Sequence, residues 1–149
     1  MPLPLAISQS LAFLASGLFA GAALYVSFVE HPARMQCGTT LAVTEFAPSY
    51  KRGAVMQASL SALGTLAAIA AWLQGAPTLW LIGGLLLGAL IPFTLIVILP
   101  TNKRLLDPSL DKESQLADQL LQRWGRLHAV RTCLSLASFL LFLLSAFCR

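Results

Sequence analysis

Three stretches of this chain contain no Asp, Glu, Lys or Arg: residues 1–29, 53–102 and 132–148. A bilayer-spanning helix needs about 20 mostly apolar residues at about 1.5 Å rise each. The first and last stretches suit one span apiece, and the middle one is long enough that it must turn back. Four spans result. Composition agrees, with 57% hydrophobic and 11% charged residues against about 25% charged in soluble domains. The net charge of +4 is accounted for by basic residues flanking the spans. No basic face with interleaved aromatics exists outside them to bind nucleic acid. The expected fold is all-α: a four-transmembrane-helix bundle forming one membrane domain over residues 1–149.

The opening Met1-Pro2-Leu3-Pro4 lacks the basic flank of a signal peptide, so its apolar run reads as a retained first span. That span is expected over about residues 5–29. It carries Gly17 and Gly21 at the spacing that lets helix backbones approach in lipid, extended by Ser16, Ala20 and Ala23. Pro32 disfavours helical geometry at His31, so the helix should end or kink there. Residues 33–50 read as a long connection in which Leu41-Ala42-Val43-Thr44-Glu45-Phe46 has no clear assignment. A second helix is expected over 51–74 and a turn at Gln74-Gly75-Ala76-Pro77-Thr78. The third, over 79–99, carries a Gly84/Gly88 stripe and a kink at Pro92. Asp107-Pro108 resembles an N-cap followed by a first-turn proline. Leu116, Leu120, Trp124 and Leu127 then recur at helical spacing. They predict an interfacial amphipathic segment before the fourth helix, or one running directly into it, within residues 111–147.

Lys and Arg gather in the first and third connections, so the positive-inside rule puts both on the cytoplasmic side and both termini opposite, in a membrane not identified by sequence. Three cysteines without a CxxC pair argue against a disulfide framework. Cys133 and Cys148 are expected to be free and buried, and Cys37 lies in a loop.

The topology brings the chemically interesting side chains to one membrane face. Glu30, His31 and Arg34 close helix one, and Tyr50, Lys51 and Arg52 open helix two. Thr101, Asn102, Lys103 and Arg104 close helix three. Trp124, His128 and Arg131, spaced i, i+4 and i+7, share one face of helix four. Each has a plainer reading. Lys51, Lys103, Arg104 and Arg126 serve as topology signals, Trp124 as a membrane-belt tryptophan and His128 as an interfacial histidine. Glu30 and Arg34 could simply pair four residues apart. A metal site would draw on His31, His128 and Glu30 or Glu45, but no HxxxH, ExxH or CxxC spacing supports it.

Four stretches, Ser16-Gly17, Tyr50-Lys51-Arg52-Gly53, Pro92-Phe93-Thr94 with Pro100-Thr101-Asn102, and Trp124-Gly125-Arg126-Leu127-His128-Ala129-Val130-Arg131, give the chain its resemblance to the anthrone oxygenase-like family. The family is also known as the domain of unknown function 1772 membrane proteins (DUF1772). The resemblance runs from Ser16 to about Leu143. It implies a small membrane oxidoreductase (a monooxygenase) that oxidises anthrones to anthraquinones with dioxygen and without metal, flavin or other cofactor. On that reading His128 is the base, Asn102 and Arg131 stabilise a phenolate oxygen, and Trp124 stacks on the ring system. Tyr50, His31, Glu30 and Arg34 complete the substrate-binding face. The partners implied are a hydrophobic aromatic small molecule, dioxygen and membrane lipid, with a homo-oligomer left open. The Glu30-His31-Pro32-Ala33-Arg34 run resembles uncharacterised bacterial and animal members instead, so substrate need not carry over. Two alternatives stand beside the enzyme: a non-enzymatic membrane protein binding lipid or a partner, and a metal-binding variant using His31 and His128. The chemistry requires that the His31 and His128 segments open onto one cavity at the basic side.

Overall fold

The computed structural model describes residues 2–147. Among these residues there are four long helices and no strand: α1 Leu3–Gln36, α2 Thr39–Leu73, α3 Thr78–Leu105 and α4 Gln115–Phe147. All four are long and apolar enough to cross a membrane. At 1.5 Å per residue they measure roughly 40–50 Å, against about 30 Å of hydrocarbon, so they extend beyond it. Sequential neighbours pack together and α4 closes back on α1, an up-down-up-down ring.

At one end lie the α1–α2 hairpin and the α3–α4 connection, joined where Lys112 Nζ donates to Thr44 Oγ1 at 3.2 Å. We call this the polar end. At the other, Gln74 Nε2 donates to Ser8 Oγ at 3.0 Å. There Gly75 takes φ 96° and the amides of Gly75 and Ala76 return to the carbonyls of Trp72 and Ala71, a left-handed helix cap.

Helix limits differ from expectation at the polar end. α1 does not stop at His31. Its Val26–Glu30 segment is a π-helical turn, with His31 N–H reaching Val26 O, and the helix then continues to Gln36. The wider turn makes room for the ring of Pro32, which would otherwise meet the carbonyl of residue 28. α3 repeats the device: Thr94–Ile98 is π-helical, Leu99 N–H reaches Thr94 O, and Pro100 follows, so the helix runs to Leu105 instead of ending near 99. The interruption expected from Pro92 is present at Ala89, between Thr78–Gly88 and Leu90–Phe93.

The connection expected over 33–50 shrinks to Cys37 and Gly38, the latter at φ 86°. Leu41–Phe46 forms the first turns of α2, which carries Pro48 inside it. Burial decides this: Ala42, Val43 and Phe46 pack on Ala117, Leu120, Leu121 and Trp124 of α4. The amphipathic stretch therefore runs directly into the fourth span. α4 starts at Gln115 and not at 111, capped by Ser114 Oγ accepting from Ala117 N–H at 3.1 Å. Asp107 caps no helix; its carboxylate accepts from Ser109 N–H at 2.9 Å and Ser109 Oγ at 2.7 Å, forming a turn.

Close contact through small residues is seen at Gly84, where an added Cβ would stand 2.7 Å from Ala68 Cβ, and at Gly17 against Phe139. Gly21, the other half of the expected pair, faces open space. Helices are also tied by hydroxyls donating to carbonyls of the glycine-bearing stretch. These bonds are Ser61 to Leu87 O (2.8 Å), Thr65 to Gly84 O (3.1 Å) and Ser138 to Gly83 O (2.7 Å). Trp80 stacks on Phe142 at 5.0 Å and fills the end opposite the polar one. Cys133 is exposed, not buried as expected, because it lies on the outward side of α4; Cys37 is exposed too. Cys148 lies outside the described residues.

Candidate functional site

A cavity of about 180 Å³ opens among the four helices in their polar half. Glu30 and Arg34 reach it from α1, Tyr50 and Gln57 from α2, and Trp124, His128 and Arg131 from α4; α3 contributes only Leu90, Ile91, Thr94 and Leu95. Its deep end is walled by Phe19, Ser61 and Leu90, each about 1% exposed.

His128 is held from behind by hydroxyls. Ser27 Oγ lies 3.1 Å from His128 Nδ1 and 2.8 Å from Thr132 Oγ1. Thr132 Oγ1 in turn lies 3.2 Å from the carbonyls of Ala23 and His128. Nε2 of His128 has no hydrogen-bond partner among the described residues. Trp124 stands between the two imidazoles, 4.9 Å from His128 and 5.2 Å from His31, and meets the edge of Phe46 at 5.3 Å. At 7% exposure it is no lipid-facing belt residue.

At the mouth, Arg34 forms ion pairs with Glu30 on its own helix and Glu45 across on α2. Ser49 Oγ donates to Glu30 at 2.7 Å, closing the cluster. The simple i, i+4 pair is therefore part of an interhelical latch. Deeper, Arg131 donates to Gln57 Oε1 and its guanidinium lies 5.5 Å from the centre of the Phe19 ring. No ion pair joins Arg131 to a carboxylate among the described residues. A cation in the hydrocarbon region without a counter-ion is costly and is characteristic of a ligand or transport path.

Two expected members stand apart. Asn102 is fully buried, but it does not line the cavity, and neither its amide oxygen nor its nitrogen has a partner. His31 also does not line it; the ring packs on Trp124 and on α4 at Gly125, where any Cβ would collide with it. The α1 segment and His128 do share a cavity, through Glu30 and Arg34, although the two imidazoles do not. Glu30 is engaged by Arg34 and Ser49, and no group of three or more His, Cys, Asp or Glu among the described residues is placed to hold a metal. Lys51, Lys103, Arg104 and Arg126 are exposed.

Ser27, Gln57, Thr132, Ser49 and Phe46 belong to this site without having been singled out from sequence. The available signal was a polar side chain inside an apolar span, the i+4 position of Thr132 relative to His128 included. The arrangement offers an imidazole with one nitrogen anchored and one open, a guanidinium near it, aromatic planes, and an apolar deep wall. It can accept a proton and stabilise an oxyanion beside a flat apolar molecule.

Neither curated proteins nor solved structures yield a match to this chain. The family model described as anthrone oxygenase matches residues 46–141. The match contains Tyr50, Gln57, Trp124, His128 and Arg131 and leaves out the Glu30–Arg34 segment and Ser16-Gly17. Since it spans well over half the chain, the protein belongs to the anthrone oxygenase family.

Proposed function

We propose that this protein oxidises a hydrophobic aromatic C–H acid with dioxygen, with His128 as the base. The observation that carries this reading is the His128 ring, anchored at Nδ1 by Ser27, lining a cavity that also holds the unpaired Arg131. On this reading Thr132 gives its one proton to a carbonyl beside it, so that Ser27 donates to Thr132 and Ser27 Oγ accepts from Nδ1–H. Nε2 is left unprotonated and open.

Nε2 removes a proton from the ring methylene, and the electron pair delocalises into an aryloxide stabilised by Arg131 with Gln57 behind it. The anion transfers one electron to dioxygen. The resulting radical and superoxide combine to a peroxide, which takes the proton back from the imidazolium. Loss of the remaining C–H proton with cleavage of the O–O bond gives the carbonyl and one water. One dioxygen is consumed, and one of its oxygen atoms stays in the product. Trp124 and Tyr50 supply faces for the ring system. Asn102 has no part in this sequence, and Arg131 alone takes the oxyanion role.

The test is dioxygen uptake with anthrone by purified protein. His128→Ala should lower it by about 10²–10⁴-fold, the usual worth of a general base, while helical content and unfolding are retained. Uptake that survives the substitution removes His128 from the chemistry. A cavity joining Trp124, His128 and Arg131 also favours this reading over a protein that binds lipid or a partner through separate surfaces.

A further inference from the structure

The cavity is closed along its axis at both ends. Toward water it is capped by the Arg34 latch, with Phe46 and Trp124 beneath; these three are 6%, 0% and 7% exposed. Toward the opposite end Phe19, Ser61 and Leu90 block it. One flank remains. α2 and α3 fit tightly where Thr65 and Ala68 meet Gly84 and Gly88. Past the interruption at Ala89 their contact becomes sparse, although both still line the cavity.

We propose that the ligand enters sideways from the bilayer, between α2 and α3. The opening is edged by Ala54 and Ala58, which continue the Ser61/Thr65 stripe of α2, on one side and by Ile91, Thr94 and Leu95 on the other. Three features of this edge define what passes. The α2 side carries only alanine. Leu95 is 57% exposed and Ala58 is exposed, so the edge faces the surroundings of the bundle, which at this depth are lipid. The one hydroxyl present, on Thr94, donates to Leu90 O at 2.7 Å and has no proton left to offer. A charged or strongly hydrated solute would lose its water there without replacement. An uncharged, flat, bilayer-dissolved molecule would not, and inside it finds Tyr50 and Trp124. A cavity of about 150 Å³ holds benzene; with one side open, this one admits fused rings lying edge-on toward lipid. The portal rests on the preceding reading only in taking the cavity as the substrate's site.

Anthracene separates the two claims, because it has no acidic C–H and is captured without reacting. In nanodiscs, energy transfer from tryptophan to added anthracene is followed in time, with Trp124→Phe defining the signal not due to Trp124. Ala54→Phe and Ala58→Phe, wedges one turn apart on the α2 edge, should each slow Trp124 transfer at least tenfold. Glu45→Gln, which loosens the polar cap, should leave the rate unchanged. The portal is overturned by an unaltered rate in folded wedge variants, by faster capture in Glu45→Gln, or by no Trp124 transfer in the native protein. Loss of anthrone turnover in His128→Ala with normal anthracene capture would leave the portal and the chemistry separately supported.

Discussion

Replacing Gly84 by alanine tests how tightly α2 and α3 are held together. The new Cβ would stand 2.7 Å from Ala68 Cβ, whereas two carbons in contact sit about 3.5–4.0 Å apart. Neither atom can rotate away, since each is fixed to its backbone. The helices must therefore separate by about 1 Å, which strains the neighbouring Thr65 hydroxyl bond to Gly84 O. Overpacking of this kind costs about 1–3 kcal/mol, and an interhelical hydrogen bond in a membrane is worth about 0.6 kcal/mol. The usual gain of about 1 kcal/mol from replacing glycine in a helix is largely absent here. In a bilayer the separated helices are already formed before they associate. The expected loss is about 2 kcal/mol, roughly 30-fold in the equilibrium constant. It is measured by sodium dodecyl sulfate titration in mixed micelles, following circular dichroism. Ala68→Gly restores the space, so the double variant should recover at least half of the loss. A Gly84→Ala protein as stable as the parent, or a double variant whose loss is the sum of the two, would refute the steric argument.

Arg131→Met should change stability by no more than about 2 kcal/mol, because removing a cation without a counter-ion offsets the loss of its bond to Gln57, while anthrone turnover falls at least 100-fold; a larger fall in stability would show that Arg131 is structural. Ser109→Ala should raise the Asp107 pKa, read from its carboxyl resonance. The Ser109 hydroxyl first, and its amide second, hold that pKa below the ordinary carboxylate value. Any stability this turn contributes is present above the carboxylate range and is lost as pH falls through the depressed pKa, so the variant's acid limb should flatten. The positive-inside expectation that the basic connections are cytoplasmic predicts that exposed Cys37 reacts with an impermeant maleimide only in inside-out vesicles; labelling of Cys37 in right-side-out vesicles would reverse the orientation.

The charge-free stretches made four spans legible because the bilayer tolerates little else. The same signal misplaced the helix limits at the polar end. Glu30, Arg34, Glu45 and Lys51 mark where the hydrocarbon stops, and the helices, still stabilised by packing on α4, do not stop with it. Trp124, His128 and Arg131 were readable as one face because α4 is uninterrupted there. Asn102 and His31 fell away from the cavity because a shared membrane face fixes a residue's depth and not its bearing: beyond the same π turn, Arg34 reaches the cavity while His31 packs on Trp124 and Gly125. Ser27, Gln57 and Thr132 were hidden because a small polar residue in a span looks alike whether it bonds a neighbouring helix or a functional side chain.

The turns at Val26–Glu30 and Thr94–Ile98 each hold one residue more than an α-helical turn requires. Each absorbs a single-residue insertion, so the residues beyond it lag a regular helical count by about 100° around the axis. The outer segments of α1 and α3 therefore present to a given side different residues from those a regular helical count would place there. Deleting one residue inside either turn would restore a regular helical turn and leave Arg34 or Leu105 on its present bearing. In this protein the rim at the polar end keeps its bearing because an additional residue ahead of a proline was absorbed as a bulge and not passed on as a rotation.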